Sequence, residues 1–286
     1  MRRTRLSTGP RRRFPFTAGL AAGLDLSRHR GENKAAMDFF NVYEDAKRAE
    51  SYSRLEFPGT YYLAFRDLPA IIAAHVKGKR AVDFGCGAGR STRFLKKLGF
   101  DAIGIDVSAD MLKRAWEIDP EGDYRLIDDA EFGQIGTASF DLVLSAFTFD
   151  NIPTRNAKVT ALRGLAGLLA AGGAIVNLVS SPDIYTHEWA SFTTKDFPEN
   201  KRAKSGDKVR IVMTDVADRR PVEDVLWSDE AYRDVYRAAG LEVAAKHAPL
   251  GREDEPYAWV SETRIAPWVI YVLKKTTQER RGQPTT

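Results

Sequence analysis

A single cysteine, Cys86, in 286 residues excludes an intrachain disulfide and any multi-cysteine zinc or iron–sulfur site. The four histidines are scattered without ligand spacing, so no metal centre is expected. Long apolar runs are missing as well. The longest stretch without a strongly polar residue, from Gly164 to Val176, covers 13 positions and is rich in glycine and alanine. A spanning helix needs about 20 apolar residues, so neither a membrane partner nor a location other than the cytoplasm is expected. Internal repeats are absent, and low-complexity sequence is confined to the termini.

An excess of positive charge is also missing from most of the chain. The pI near 9.0 invites a nucleic-acid reading, but residues 1–36 hold nine of the 43 Lys and Arg and two of the 39 Asp and Glu. The remaining 250 residues carry 34 basic against 37 acidic side chains. The basicity belongs to a tail, and the body has no electrostatic footprint for a polyanion. Residues 1–36 are rich in Arg, Gly and Pro without a helical or strand period, which reads as a disordered, dispensable extension. Arg11-Arg12-Arg13-Phe14 followed by a short apolar run competes as an export signal, and the Arg-rich composition as an organelle transit segment. The body is expected to be one domain over 37–276, with a flexible tail at 277–286.

What is present is an alternation. Phe39, Phe40, Tyr43 and Ala46 mark an amphipathic helix over 34–52, and 68–76 reads as a second, with Asp67 as its N-cap. Short apolar runs at 81–84, 102–105, 124–127, 140–146 and 174–179 then alternate with helical patterns at 90–98, 108–117 and 154–169. Strands joined by crossover helices predict a parallel, doubly wound α/β sheet. The end departs from this grammar. A helix over 228–239, capped by Ser228 and stopped by Gly240, precedes strands at 241–246 and 268–273 with no helix between them, so these two are expected to pair antiparallel. The fold class is therefore α/β: a mostly parallel seven-stranded sheet with an antiparallel final strand and a small cap. The cap falls to the segments outside the alternation, 37–78 and 182–227.

The sharpest motif is Val82-Asp83-Phe84-Gly85-Cys86-Gly87-Ala88-Gly89-Arg90-Ser91. Alternate glycines permit a tight turn and close approach of backbone to a ligand just before a helix N-terminus. A dinucleotide fingerprint would want a small residue where Arg90 stands. Asp83, ahead of the first glycine, would repel a pyrophosphate but suits a ligand bearing ammonium and sulfonium charge. Asp106 closes the second strand, where a carboxylate accepts from ribose hydroxyls. Asp128-Asp129-Ala130 follows the third strand, where a carboxylate can meet an adenine amino group. Ser145-Ala146-Phe147 ends the fourth, at the switch point of the sheet.

With VDFGCGAGRS, IGIDVSADML, LIDDAEF, FDLVLSAFTFDNI and LLAAGGAIVNLV, the sequence resembles the class I S-adenosylmethionine-dependent methyltransferase superfamily over about 79–179 and 228–275. The resemblance implies S-adenosyl-L-methionine as cofactor. It places Asp83, Gly85, Cys86, Gly87 and Gly89 along the methionine and sulfonium, Asp106 at the ribose, Met111 nearby, and Asp128, Asp129 and Ala130 at the adenine, with Ser145 and Phe147 beside the crevice. It also implies an upstream aromatic against the cofactor, Tyr52 before Tyr61 or Tyr62. Cys86 reads as a small residue that fits the loop.

Nucleic-acid amino-methylating relatives carry an Asn/Asp-Pro-Pro-aromatic motif after the fourth strand. Asp150-Asn151-Ile152-Pro153-Thr154 lacks its second proline and its base-stacking aromatic. With the acidic body, this favours a small-molecule acceptor methylated on N, O or C. Tyr43, Tyr61, Tyr62 and Trp189 are the candidate acceptor contacts. His187 is the candidate base by its ordinary pKa, and Tyr185 is the next. Another reaction of the same cofactor (cyclisation or aminopropyl transfer) keeps every motif. A nicotinamide dehydrogenase is opposed by Asp83 and Arg90, and a non-catalytic cofactor-binding module stays open.

Overall fold

The computed structural model describes residues 57–127 and 132–276. The helix expected over 34–52, and with it Tyr43 and Tyr52, lies outside the described residues, as do Asp128, Asp129 and Ala130. The chain enters through two short helices, α1 (Thr60–Arg66) and α2 (Leu68–His75). Asp67 stands between them but does not cap α2. Its backbone is helical, and its carboxylate is taken by the Arg66 guanidinium at 2.8 and 2.9 Å.

The alternation follows: β1 (Arg80–Phe84), α3 (Arg90–Lys97), β2 (Asp101–Asp106), α4 (Ala109–Ile118), β3 (Asp123–Leu126), β4 (Phe140–Ala146), α5 (Arg155–Leu168) and β5 (Leu169–Ser180). Three caps hold helix starts where the sequence puts Ser or Thr. Ser108 accepts from Met111 N–H, Thr154 from Ala157 N–H and Ser228 from Ala231 N–H, each satisfying one orphan donor of a first turn. The insertion supplies β6 (Phe192–Thr193), β7 (Lys208–Met213) and β8 (Val222–Val225), and the chain closes with α6 (Asp229–Ala238), β9 (Leu241–His247) and β10 (Trp268–Lys275).

The main sheet has the order β3-β2-β1-β4-β5-β10-β9. β10 runs antiparallel to both neighbours, and the other adjacent pairs are parallel. Period-two alternation splits its side chains between two cores. Leu142, Leu144, Val176 and Ile270 face α1, α2 and α3 through Leu63, Leu68 and Leu95. Val143, Ile175, Tyr271 and Leu273 face α5 and α6 through Leu162, Leu165, Val235 and Tyr236. The strand order reverses between β1 and β4, which opens a crevice at the carboxyl ends of the parallel strands.

The insertion is not a helical cap. It folds as a three-stranded antiparallel sheet, β6-β7-β8, with Phe192 opposite Met213 and Arg210 opposite Glu223. Its aromatics Tyr185, Trp189, Phe192 and Phe197 are buried. Its basic residues lie outward, several of them paired with acids: Lys195 with Glu188, Lys208 with Glu223 and Arg210 with Glu199. Glu262, in the β9–β10 connection, is fully buried. It accepts from Thr60 Oγ1 at 2.6 Å and from Ala190 and Val260 N–H at 2.8 Å each, tying α1, the insertion and the C-terminal loop together.

No helix among the described residues is long and apolar enough to cross a membrane.

Candidate active site

One cavity runs along the carboxyl edge of the sheet. At one end it is lined by Gly85, Cys86, Gly87, Asp106, Met111 and Ile127. At the other end stand Tyr61, Phe147, Tyr185, Phe192, Asp224 and Trp268.

The glycine loop is built by left-handed backbone at Gly85, Gly87 and Gly89, with φ of 69°, 53° and 78°, which residues with a Cβ adopt at a cost of about 1–2 kcal/mol. The three glycines do different jobs. A Cβ on Gly85 would lie 2.2 Å from Thr148 Oγ1, and one on Gly89 would lie 2.4 Å from Tyr124 Oη. Those two let protein pack against the loop, and Gly89 does not line the cavity. A Cβ on Gly87 would meet only Met111 Cε, at 3.1 Å, so this is the glycine whose missing side chain leaves the cavity open.

Asp106 braces the loop from β2. Its Oδ2 accepts from Gly87 N–H at 2.7 Å and its Oδ1 from Ser108 N–H at 2.9 Å. Each carboxylate oxygen has a second lone pair, so the group can still accept from a ligand diol. Its pKa is raised by burial, against the backbone donors that lower it. Asp83 departs from its expected place. It is fully buried and absent from the cavity wall. Its Oδ2 accepts from Ser91 Oγ at 2.7 Å and Thr92 Oγ1 at 2.6 Å, fastening β1 to the first turn of α3, while Oδ1 has no partner. Burial pushes its carboxyl up to about 6. The Cys86 thiol is raised by burial and by the carboxylates of Asp106 and Asp83, which leaves it an inert small side chain. Ser145 is buried with Oγ unpartnered and also stands off the wall.

At the far end the rings of Phe147, Tyr61 and Phe192 surround Trp268, with centroids 4.7, 5.7 and 5.7 Å from it. Phe147 holds a left-handed φ of 65° without being glycine, which is backbone strain at a wall residue. Trp268 is anchored by its indole N–H, donated to Thr60 carbonyl at 2.7 Å. Arg90 lies across the faces of Phe57, Tyr61 and Phe65 at 5.1–5.5 Å. Tyr185 lines the wall and donates its hydroxyl to Asp224 Oδ2 at 3.1 Å. Burial and the nearby carboxylates push that hydroxyl well up, so it is a proton donor and not a base. Asp150, at the cavity floor, accepts from Ser180 N–H at 3.0 Å and Tyr232 hydroxyl at 3.3 Å, and burial raises its pKa. Lys158 is buried behind it, with its ammonium on Phe149 carbonyl and over the Trp227 and Tyr232 rings.

Three expected acceptor-side residues are elsewhere. His187 Nδ1 is 3.1 Å from Asp183 carbonyl and 3.0 Å from Thr186 Oγ1, with the ring against Trp189, and it does not reach the cavity. Trp189 is core: it is buried and donates to Ile184 carbonyl. Tyr62 packs on Tyr257 instead of facing the cavity. Conversely, Trp268, Asp224, Asp150 and Arg90 were missed as site residues. Trp268 had a legible signal. In a final strand that runs antiparallel, the first residue falls at the carboxyl end of its parallel neighbour, and Trp268 indeed pairs with Ser180.

Residues 82–177 match the methyltransferase domain family. The chain is 26% identical to N-demethylindolmycin N-methyltransferase of Streptomyces griseus, over 72% of this chain and 90% of that protein. It is 37% identical to a ubiquinone biosynthesis O-methyltransferase of Methylococcus capsulatus, over 33% of this chain and 43% of that protein. Among solved structures, the CcbJ methyltransferase of Streptomyces caelestis superposes with a TM-score of 0.55 at 18% identity, over 77% of this chain and all of that one. The chain carries a class I S-adenosylmethionine-dependent methyltransferase domain, and the protein is an S-adenosylmethionine-dependent methyltransferase.

Proposed function

We propose that the two ends of the cavity divide the reaction between them, S-adenosylmethionine at the glycine loop and a small organic methyl acceptor at the aromatic wall. The observation that carries this reading is continuity: one cavity joins Gly87 and Asp106 to Tyr61, Phe147, Phe192 and Trp268. The cofactor half fits its ligand. Gly87 leaves room for a ligand chain, Asp106 keeps lone pairs for a ribose diol, and Met111 and Ile127 offer an apolar surface for a purine. Arg90 and Ser91 in the first turn of α3 suit the carboxylate of the methionine moiety. Asp128, Asp129 and Ala130 are proposed to complete the adenine end, and Tyr52 to cover it.

When bound, the cofactor supplies a methyl group already activated on sulfonium. The protein's task is then to align the acceptor and exclude water, and positioning of this kind can lower a barrier by about 7–11 kcal/mol. In this reading the four-ring wall orients the acceptor, the insertion over 182–227 closes the site, and Asp224, held by Tyr185, takes the acceptor's proton where one must leave. The insertion thus serves as an acceptor cap on a domain spanning 37–276. The acceptor is a small molecule and not a nucleic acid or a membrane component, in a cytoplasmic enzyme. Calorimetry with S-adenosylmethionine, followed by mass spectrometry of a metabolite library incubated with enzyme and cofactor, tests this. Binding with a mass gain of one methyl group supports it, and absence of cofactor binding refutes it.

A further inference from the structure

Behind the acceptor half stands a cation that does not line the cavity. Lys158 lies in the first turn of α5 and is fully buried. Two things oppose a charge there. Water is excluded, and the N-terminus of a helix disfavours a cation. What supports it is local. The ammonium donates to the Phe149 carbonyl and lies against the faces of Phe149, Trp227 and Tyr232 at 4.8–5.9 Å. Two acids face it, Asp150 from the turn after β4 and Asp224 from β8, and both line the cavity. The Tyr232 hydroxyl of α6 joins them by donating to Asp150, with Tyr236 and Tyr271 beyond it, and Tyr185 lies near both acids.

A carboxyl group in a desolvated wall of rings keeps its proton unless donors or a cation favour the charged form. Asp150 has Ser180 N–H and the Tyr232 hydroxyl, and Tyr185 is one partner of Asp224. These donors are neutral, and the charge that faces both acids at once is the Lys158 ammonium. Burial raises the Asp150 carboxyl and lowers the Lys158 ammonium, and their mutual attraction opposes both effects. The outcome matters for methyl transfer. A carboxylate can receive the proton that an N–H or O–H acceptor must lose, and a carboxylic acid cannot. Resting on the methyl-transfer reading above, we infer that Lys158 is a positioning residue, the shared counter-ion that holds Asp150 and Asp224 at the acceptor wall as carboxylates. No bond forms or breaks at Lys158. One ammonium between two carboxylates leaves the set with a single net negative charge, which the acceptor's proton cancels when it forms an O–H bond on Asp224. The electron pair of the broken bond stays on the acceptor atom, and the proton leaves to solvent when product departs.

The test reads the carboxylates directly in the full chain. Protein labelled with carbon-13 at the aspartate carboxyls is titrated by NMR between about pH 4 and about pH 9, as the natural chain, Lys158→Met and Lys158→Arg. Asp150→Asn and Asp224→Asn identify the two resonances. In Lys158→Met both carboxylates should gain proton affinity by about tenfold or more, the range for loss of one nearby opposite charge. Lys158→Arg, which keeps the charge, should reverse the gain. Proton affinity within about twofold of the natural value at either acid, or a gain that Lys158→Arg leaves in place, would overturn the inference. If Lys158→Met does not fold, the reciprocal measurement decides, because coupling between two sites is equal from either side. With carbon-13 in the lysine side chains, Asp150→Asn and Asp224→Asn should each lower the proton affinity of Lys158 about tenfold. A Lys158 titration left unmoved by one of them would equally refute it. The titration needs neither cofactor nor acceptor, so its failure sinks only this inference, whereas failure of S-adenosylmethionine binding sinks the methyl-transfer reading.

Discussion

Gly87 and Gly89 stand two residues apart in one loop, both left-handed, yet a methyl group added to each meets different surroundings. Gly87→Ala would carry the left-handed cost of about 1–2 kcal/mol and push a Cβ toward Met111 at the cavity. It is expected to lower cofactor affinity about tenfold with a modest loss of melting temperature. Gly89→Ala would drive into the Tyr124 ring and is expected to act mainly on stability. Paired calorimetry and thermal melts separate the two, and identical effects would refute the division of labour. Asp106→Ala is expected to weaken S-adenosylmethionine binding by about 1–3 kcal/mol, because it leaves Gly87 N–H and a ligand diol without their acceptor; unchanged affinity would remove Asp106 from the site. Asp83 makes a pH prediction. The native carboxyl holds its proton up to about pH 6, whereas the unfolded one ionises near 3.9. Between those values the native state binds the extra proton, so this group's contribution to stability falls as pH rises from about 4 to 6 and is level above. Asp83→Asn should flatten that segment of a denaturation-versus-pH curve by up to roughly 3 kcal/mol, and parallel curves for the two proteins would contradict it.

Among elements, the contacts that place the insertion converge on a residue outside every regular strand and helix. Glu262 accepts from α1, from the start of the insertion and from its own loop. Charge-assisted hydrogen bonds are worth about 1.5–3 kcal/mol each, so Glu262→Ala should cost about 3 kcal/mol or more. That corresponds to a melting temperature lower by roughly 6–12 °C for a domain of this size. Glu262→Gln, which keeps an acceptor, should recover part of it, and a melt unchanged in Glu262→Ala would show that the three segments are held by packing alone. Trp189 belongs with it. Because it is core, Trp189→Ala should cost about 3–5 kcal/mol of stability. His187→Ala should leave the pH profile of turnover unchanged, since the ring is bonded to Asp183 and Thr186 away from the cavity. A flattened profile would restore it as the base.

At the scale of the whole molecule, the sheet, its reversal point and its antiparallel last strand were all legible. They rest on local rules: period-two apolar runs, period-3.6 helices, Ser and Thr caps, and glycine where the backbone turns left-handed. The helix ends agree to within a residue at Ser108, Thr154 and Ser228. The charge division also predicts that removing residues 1–36 leaves melting temperature and cofactor affinity essentially unchanged, since that segment offers no periodic apolar face. A drop of several degrees on truncation would show that it docks.

Composition and local pattern by themselves determined the α/β architecture, the glycine loop and the acid at the end of β2, because each depends on residues near one another in the chain, and the family resemblance those motifs carry implied the cofactor. Tertiary structure alone decided which side chains share the acceptor half. Trp268 reaches it only because β10 runs against β5, and Asp224 only because the insertion forms a sheet whose third strand borders the cavity. His187 and Trp189 carry the right chemistry at the right place in the sequence. They were turned away by packing: the chain over 186–190 is irregular, so no helical or strand period says which side chain faces the cavity, and contacts to Asp183, Thr186 and Ile184 decide it.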